Sequence, residues 1–220
     1  MYGGAISNVF GGLTGGIIGG FRANKLGLDF WNGKSLNTRT LNMISESFTL
    51  GSSVESTDEN LMKATKAWYP DAPLNKVKVY SVENLSGHAK SQFSANPSIG
   101  GLTVPTAKGS VLSGNSKVFF NASVAFSSPE ELYKVIGHEL LHVSQISLLA
   151  GEKVSLFSGS FIDLMEYHAY SFRSTPGLSA WNANDVRLLM TNYPKWFTKL
   201  SKLNFQWTYK ARPYINIFEN

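Results

Sequence analysis

Apolar and polar positions recur with different periods along the chain, and these periods predict its elements. After a polar start at residues 57–60, apolar residues spaced three to four apart predict a short helix that ends before Pro70. Alternation with β-branched residues predicts a strand over 77–82. Residues 87–116 hold many glycines and prolines and predict loops, whereas residues 117–126 predict a second strand or a strand pair.

One helix has the strongest start signal in the chain. Ser128 is a favourable N-cap, Pro129 occupies the first helical position, and two glutamates follow at the positive end of the helix dipole. The apolar face that follows predicts a helix that runs to about Leu149 and stops at Gly151. The preceding strand, over 118–124, is a candidate edge along which a substrate peptide could pair.

The elements together indicate an α+β fold. A further helix is predicted over 161–172, and two short helices broken at Pro194 are predicted over 182–203. We expect a small mixed or antiparallel sheet packed on the long helix and on the helix after it, with C-terminal helices beyond. Residues 1–55 form a glycine-rich leader in this interpretation, and residues 56–220 form the functional domain.

Composition and charge exclude several classes of protein. The 220 residues include no cysteine, which excludes disulfides, thiolate metal sites and a cysteine nucleophile. A net charge of +5 is too small to indicate nucleic-acid binding. We find no long apolar run that would span a membrane and no basic start of a conventional signal peptide. The aromatic, lysine-rich end of the chain, residues 191–220, is interpreted as core with lysines extending outwards.

The leader has a distinct glycine pattern. Residues 1–20 contain eight glycines, six of them in pairs that recur every four residues. A flexible junction is the favoured interpretation, because glycine weakens helices by up to about 1 kcal/mol per residue. The alternative is a glycine zipper that would bring residues 1–20 into contact with a membrane.

The long helix contains the motif HExxH. His138 and His142 are four residues apart, so their imidazoles project from one face of the helix and can converge on one metal ion. Glu139 lies beside the first histidine, where it can act as general base on a water molecule at the metal. Zinc is the expected metal, because it lowers the pKa of water and polarises a scissile carbonyl.

A catalytic zinc site needs a third protein ligand, and the next predicted helix offers two. Glu166 is favoured, because two histidines and a glutamate form a set used for peptide hydrolysis, and His168 is the alternative. The two are about 200° apart around a helix, so both are not expected to bind one metal. Asp163 is a candidate to orient a ligand histidine, and Tyr170 or His168 a candidate to stabilise the transition state.

The segment IGHELLHVSQ, followed by EYHAY from Glu166, resembles the gluzincin branch of zincin metallopeptidases. The resemblance implies a zincin-like fold, His138, His142 and Glu166 as zinc ligands, and Glu139 as the catalytic base. The pattern also resembles the zincin-like toxin domains at the C-termini of bacterial Rhs-type polymorphic toxins. In those proteins a glycine-rich segment similar to YGGAISNVFGGLTGGIIGGF and GLDFWNGKS joins the repeat shell to the toxin.

The resemblance implies a function and a set of partners. We expect a zinc-dependent endopeptidase that is delivered as a secreted effector into the cytoplasm or periplasm of a target cell. Its partners would be a protein or peptide substrate, the parent Rhs-type shell with its secretion apparatus, and a cognate immunity protein; no nucleic acid is expected. The alternative is a non-enzymatic, zinc-stabilised binding module or a membrane-active module that uses the leader.

Overall fold

The computed structural model describes Leu36, residues 38–156 and, beyond them, Met165, Ala169 and Thr191. The predictions for residues 1–20 lie outside the described residues, as do those for the helices over 182–203 and the aromatic tail apart from Thr191, and most of the helix predicted over 161–172. The described elements are α1 (Thr38–Ser45), α2 (Asp58–Trp68), a 3-10 turn (Leu74–Lys76), β1 (Val77–Ser81), α3 (Gly87–Ala95), β2 (Gly101–Lys108), β3 (Val111–Phe120), α4 (Ala122–Ala125), α5 (Pro129–Leu148) and a second 3-10 turn (Val154–Leu156).

The three strands form one mixed sheet in the order β1-β3-β2. β1 runs parallel to β3, with Tyr80 opposite Val118, and β2 runs antiparallel to β3, with Thr103 opposite the same Val118. Both β2 and β3 pack on α5. The predicted α+β class is therefore confirmed for the described part of the chain, including the packing of a small mixed sheet on the long helix.

The prediction of loops over 87–116 is wrong. This stretch forms α3, β2 and the first half of β3. The Ser86 hydroxyl accepts a hydrogen bond from the amide of Ala89 and so caps a helix with little amphipathic pattern. Pro105 lies in β2 at an irregularity of the ladder, where the missing N–H of a proline is tolerated. The pairing of β2 with β3 therefore outweighs the local preference of glycine and proline for loops.

The second predicted strand, over 117–126, is only partly right. β3 begins earlier, at Val111, and ends at Phe120, after which residues 122–125 form the single turn α4. β3 is also the central strand of the described sheet. The proposal of a substrate-pairing edge over 118–124 is therefore wrong; among the described strands, β2 packs on α5 and has one side without a paired strand.

The main core lies between α1, α2, the sheet and α5. Trp68 is fully buried at the end of α2, and its ring makes edge contacts with Phe48 and Tyr133. Residues 38–55 contribute Met43, Ile44 and Val54 to this core, although the sequence pattern assigned them to the leader. No helix among the described residues is long and apolar enough to cross a membrane.

Asp58 joins the start of α2 to the end of β1. Its carboxylate accepts hydrogen bonds from the amides of Val82 and Glu83, the hydroxyl of Ser81 and the side-chain amide of Asn84. Burial by itself raises the pKa of the Asp58 carboxyl, but these four donors together outweigh burial and hold the pKa below its usual value. Because the folded-state pKa is depressed, the stabilisation is present above the unfolded-state pKa and is lost as the pH falls.

Asp58→Asn is expected to lower the free energy of unfolding by about 1–2 kcal/mol at neutral pH, because the amide accepts fewer and weaker hydrogen bonds than the carboxylate. The difference between wild type and variant should shrink as the pH falls below the unfolded-state pKa of an aspartate, because the folded wild type then takes up its proton as well. Urea unfolding of both proteins at a series of pH values measures this difference in the free energy of unfolding. The exposed Asp71, changed to Asn, is the matched control; a loss at position 58 that does not vary with pH would contradict the account.

Candidate metal centre

The site lies on α5, which is held in place by an N-terminal cap and by burial. The Ser128 hydroxyl accepts a hydrogen bond from the amide of Glu131, and Pro129 occupies the first turn, as the sequence predicts. Residues 135–146 are all buried. The polar residues of the HExxH motif therefore lie inside the protein, where each polar group needs a partner.

His138 and His142 come together as the spacing predicts. Their side chains are 3% and 2% exposed, so water has little access to either ring. The Nε2 atoms of the two rings lie 3.1 Å apart, and the rings meet edge to face with centroids 4.7 Å apart. Two imidazoles thus direct the same nitrogen towards a common point, as two ligands of one cation do.

Glu139 points towards β2. The hydroxyl of Thr103 donates a hydrogen bond to Oε2 of Glu139 at 2.6 Å, a short distance typical of a hydroxyl bound to a charged carboxylate. Gly101 lies against the same carboxyl group, and a Cβ built there would be 2.6 Å from both Cγ and Oε1 of Glu139. The absence of a side chain at Gly101 therefore leaves room for the carboxylate of Glu139, and the hydrogen bond from Thr103 holds one of the two carboxylate oxygens.

The charge of Glu139 also acts on Tyr80, on β1. Burial raises the pKa of the Tyr80 phenol, the hydrogen bond with Thr65 lowers it, and the negative charge of Glu139 raises it further, with a net increase. The phenol therefore stays protonated and hydrogen-bonded to Thr65 at neutral pH, with an oxygen–oxygen distance of 2.8 Å. Its ring makes an edge contact with Phe120.

Gln145 links the motif to the next part of the chain. Its Oε1 lies 2.8 Å from Nδ1 of His142, and its Nε2 donates to the carbonyl oxygen of Met165 at 3.1 Å. Met165 and Ala169 are helical and buried, four residues apart, in agreement with a helix in this region. Residue 165 immediately precedes Glu166.

The other predicted site residues, Asp163, Glu166, His168 and Tyr170, lie outside the described residues, so their assignments stay predictions. Within the described ranges no group of three or more histidine, aspartate or glutamate side chains forms a metal site.

The donors that are described fit zinc, because two convergent imidazole nitrogens leave room in its coordination shell for a third protein ligand and an open position.

Three residues of the site were missed by sequence reasoning. Gly101 and Thr103 lie in the stretch predicted as loop, and their approach to Glu139 depends on the pairing of β2 with β3. Gln145 is visible in the sequence as a polar residue on the apolar face of the long helix, three positions after His142. A buried polar residue at that spacing is a signal that could have been used.

No family model, curated protein or solved structure matches this chain.

Proposed function

We propose that this chain is a zinc-dependent endopeptidase of the zincin type. One observation carries the proposal. The Nε2 atoms of the buried His138 and His142 face each other at 3.1 Å, and a hydrogen bond from Thr103 orients the carboxylate of Glu139, the residue after His138. Buried titratable groups gathered at one place in this way are candidates for a functional site.

The residues have the following roles. His138 and His142 would hold the metal, and Glu166 would complete the set, with His168 as the alternative. Zinc, when bound, supplies a Lewis acid that polarises a carbonyl and lowers the pKa of water.

Glu139 acts as the general base: it takes a proton from the attacking water and delivers it to the amine that leaves. The hydroxyl of Thr103 donates to Oε2 of Glu139 and so helps to hold the carboxylate in one orientation.

The sheet favours an extended peptide as substrate. β2 pairs with β3 on one side only, and no other described strand pairs with its second side. Its residues Gly101 and Thr103 contact Glu139, so a peptide paired with β2 would pass close to the base. Main-chain pairing of this kind binds many sequences, which suits an endopeptidase acting on unfolded or extended segments.

We further propose that the domain is a toxin effector of Rhs-type polymorphic proteins, delivered from its parent shell by a secretion apparatus. The glycine-rich leader and the HExxH segment support this assignment by resemblance. Cleavage would take place in the cytoplasm or periplasm of the target cell. A producing cell would then need an immunity protein that blocks the site.

The zinc dependence of proteolysis tests the proposal. The purified full chain, supplied with zinc, is expected to cleave unfolded proteins into fragments that mass spectrometry can identify. Chelation with 1,10-phenanthroline should abolish the cleavage, and added zinc should restore it, because the water is no longer activated without the metal. Cleavage that is insensitive to chelation, or none with any unfolded protein while zinc is bound, would contradict a zinc endopeptidase.

A further inference from the structure

We infer that Gln145 is a positioning residue of the metal centre: it selects the tautomer of His142 that presents an unprotonated Nε2, and it ties this ligand to the residue before Glu166. The inference deepens the proposed function and rests on it for the ligand role of His142. No part of the HExxH pattern itself assigns a role to position 145.

The orientation of the Gln145 amide follows from its two contacts. Gln145 is fully buried. The carbonyl oxygen of Met165 can only accept a hydrogen bond, so the group that faces it must be the amide nitrogen of Gln145, at 3.1 Å. The amide oxygen is thereby directed to the other side, where it lies 2.8 Å from Nδ1 of His142.

The tautomer of His142 follows in turn. An amide oxygen is an acceptor, so Nδ1 of His142 must carry a proton and donate it. A neutral imidazole has one N–H, and Nε2 therefore keeps its lone pair. That lone pair points at Nε2 of His138, 3.1 Å away. A single proton shared by the two Nε2 atoms gives each of them a hydrogen-bond partner. A metal cation between them would likewise give each nitrogen a partner.

The second contact of Gln145 connects two parts of the site. Met165 is buried and helical, and it immediately precedes the predicted ligand Glu166. Its carbonyl is held by the same side chain that orients His142. One amide thus holds the backbone of Met165 against the HExxH helix and also sets which nitrogen of His142 carries the proton, as outer-shell partners do in metal sites.

Two substitutions separate these contacts. Gln145→Leu has a similar volume and removes both hydrogen bonds. Gln145→Glu keeps an oxygen that accepts from Nδ1 of His142 but places a carboxylate against the Met165 carbonyl. Ser144→Ala is the matched control, because Ser144 is also buried on α5 and its hydroxyl donates to Leu140 of the same helix instead of to the site.

The first readout is the tautomer, measured without metal. Long-range proton–nitrogen NMR of the histidine side chains is recorded on the full chain, stripped of metal, at about pH 8, where an ordinary imidazole is neutral. His142 is expected in the Nδ1–H form in wild type, Gln145→Glu and Ser144→Ala. Gln145→Leu is expected to lose this preference. An Nε2–H form of His142 in the wild type would overturn the inference. Because this result comes from the wild type alone, it does not depend on whether a variant folds.

The second readout is zinc affinity, measured by competition with a chromophoric chelator. Gln145→Leu is expected to bind zinc about 10- to 100-fold more weakly than wild type, the usual cost of losing an outer-shell partner. Gln145→Glu, which keeps the acceptor for His142 but loses the donor to Met165, should bind zinc more tightly than Gln145→Leu and less tightly than wild type, and Ser144→Ala should leave the affinity unchanged. Wild-type affinity in a folded Gln145→Leu would overturn the positioning role.

The two readouts separate this inference from the proposed function. If wild type shows the Nδ1–H form of His142, lost in Gln145→Leu, yet binds no zinc, the proposed function fails and the role of Gln145 in orienting His142 stands. If wild type binds zinc and cleaves protein while position 145 affects neither the tautomer nor the affinity, the inference fails and the proposed function stands.

Discussion

Glu139→Gln is expected to reduce peptide hydrolysis by roughly 10²- to 10⁴-fold, the range associated with loss of a general base. Glutamine has nearly the same shape as glutamate, and its amide oxygen can still accept the hydrogen bond from Thr103. The room that Gly101 leaves for the side chain at position 139 is sufficient for glutamine as well. The variant should therefore fold and keep zinc, and the loss should appear in kcat with little change in KM.

The control for this prediction is Glu131→Gln, a change of the same kind on the same helix. Glu131 lies in the first turn of α5, 3.7 Å from Lys134 and about two helical turns before His138. Its activity should stay close to wild type, since a partly exposed ion pair contributes little. Full hydrolytic activity in Glu139→Gln, with zinc bound, would contradict the role of Glu139 as the base.

His138→Ala and His142→Ala are each expected to lower zinc affinity by more than the roughly 10- to 100-fold that loss of an outer-shell partner costs. Each removes one of the two nitrogens that converge at 3.1 Å. His142→Ala should have the larger effect on stability, because it also leaves the Gln145 oxygen without its imidazole donor. Competition with a chromophoric chelator measures the affinity, and circular dichroism verifies that each variant is folded.

His88→Ala is the matched control for the histidine variants. His88 lies on α3, is half-buried and has no place in the motif. The affinity of this variant should equal that of wild type. Equal zinc affinity in His88→Ala, His138→Ala and His142→Ala would contradict a site on α5.

The helix that carries the motif could be predicted well from the sequence, because its signals are local. Ser128, Pro129 and the two glutamates mark its start, and its predicted end at about Leu149 agrees with the observed end at Leu148. The convergence of His138 and His142 follows from helix geometry alone. For the same reason the strand over 77–82 was predicted almost to its observed bounds.

The surroundings of the motif could not be predicted, because they depend on contacts between distant residues. Thr103 and Glu139 are 36 positions apart, and they meet only because β2 pairs with β3 and both pack on α5. Pro105 is a local signal for a loop, and the sheet accommodates it in β2 at an irregularity of the ladder. Tertiary pairing outweighed local preference at these positions.

The metal content of the purified full chain tests the central claim most directly. Elemental analysis after incubation with zinc and removal of the excess is expected to find about one zinc per wild-type chain, and almost none in the His138→Ala/His142→Ala double variant. Negligible zinc in both proteins, with both folded, would contradict a metal centre on α5.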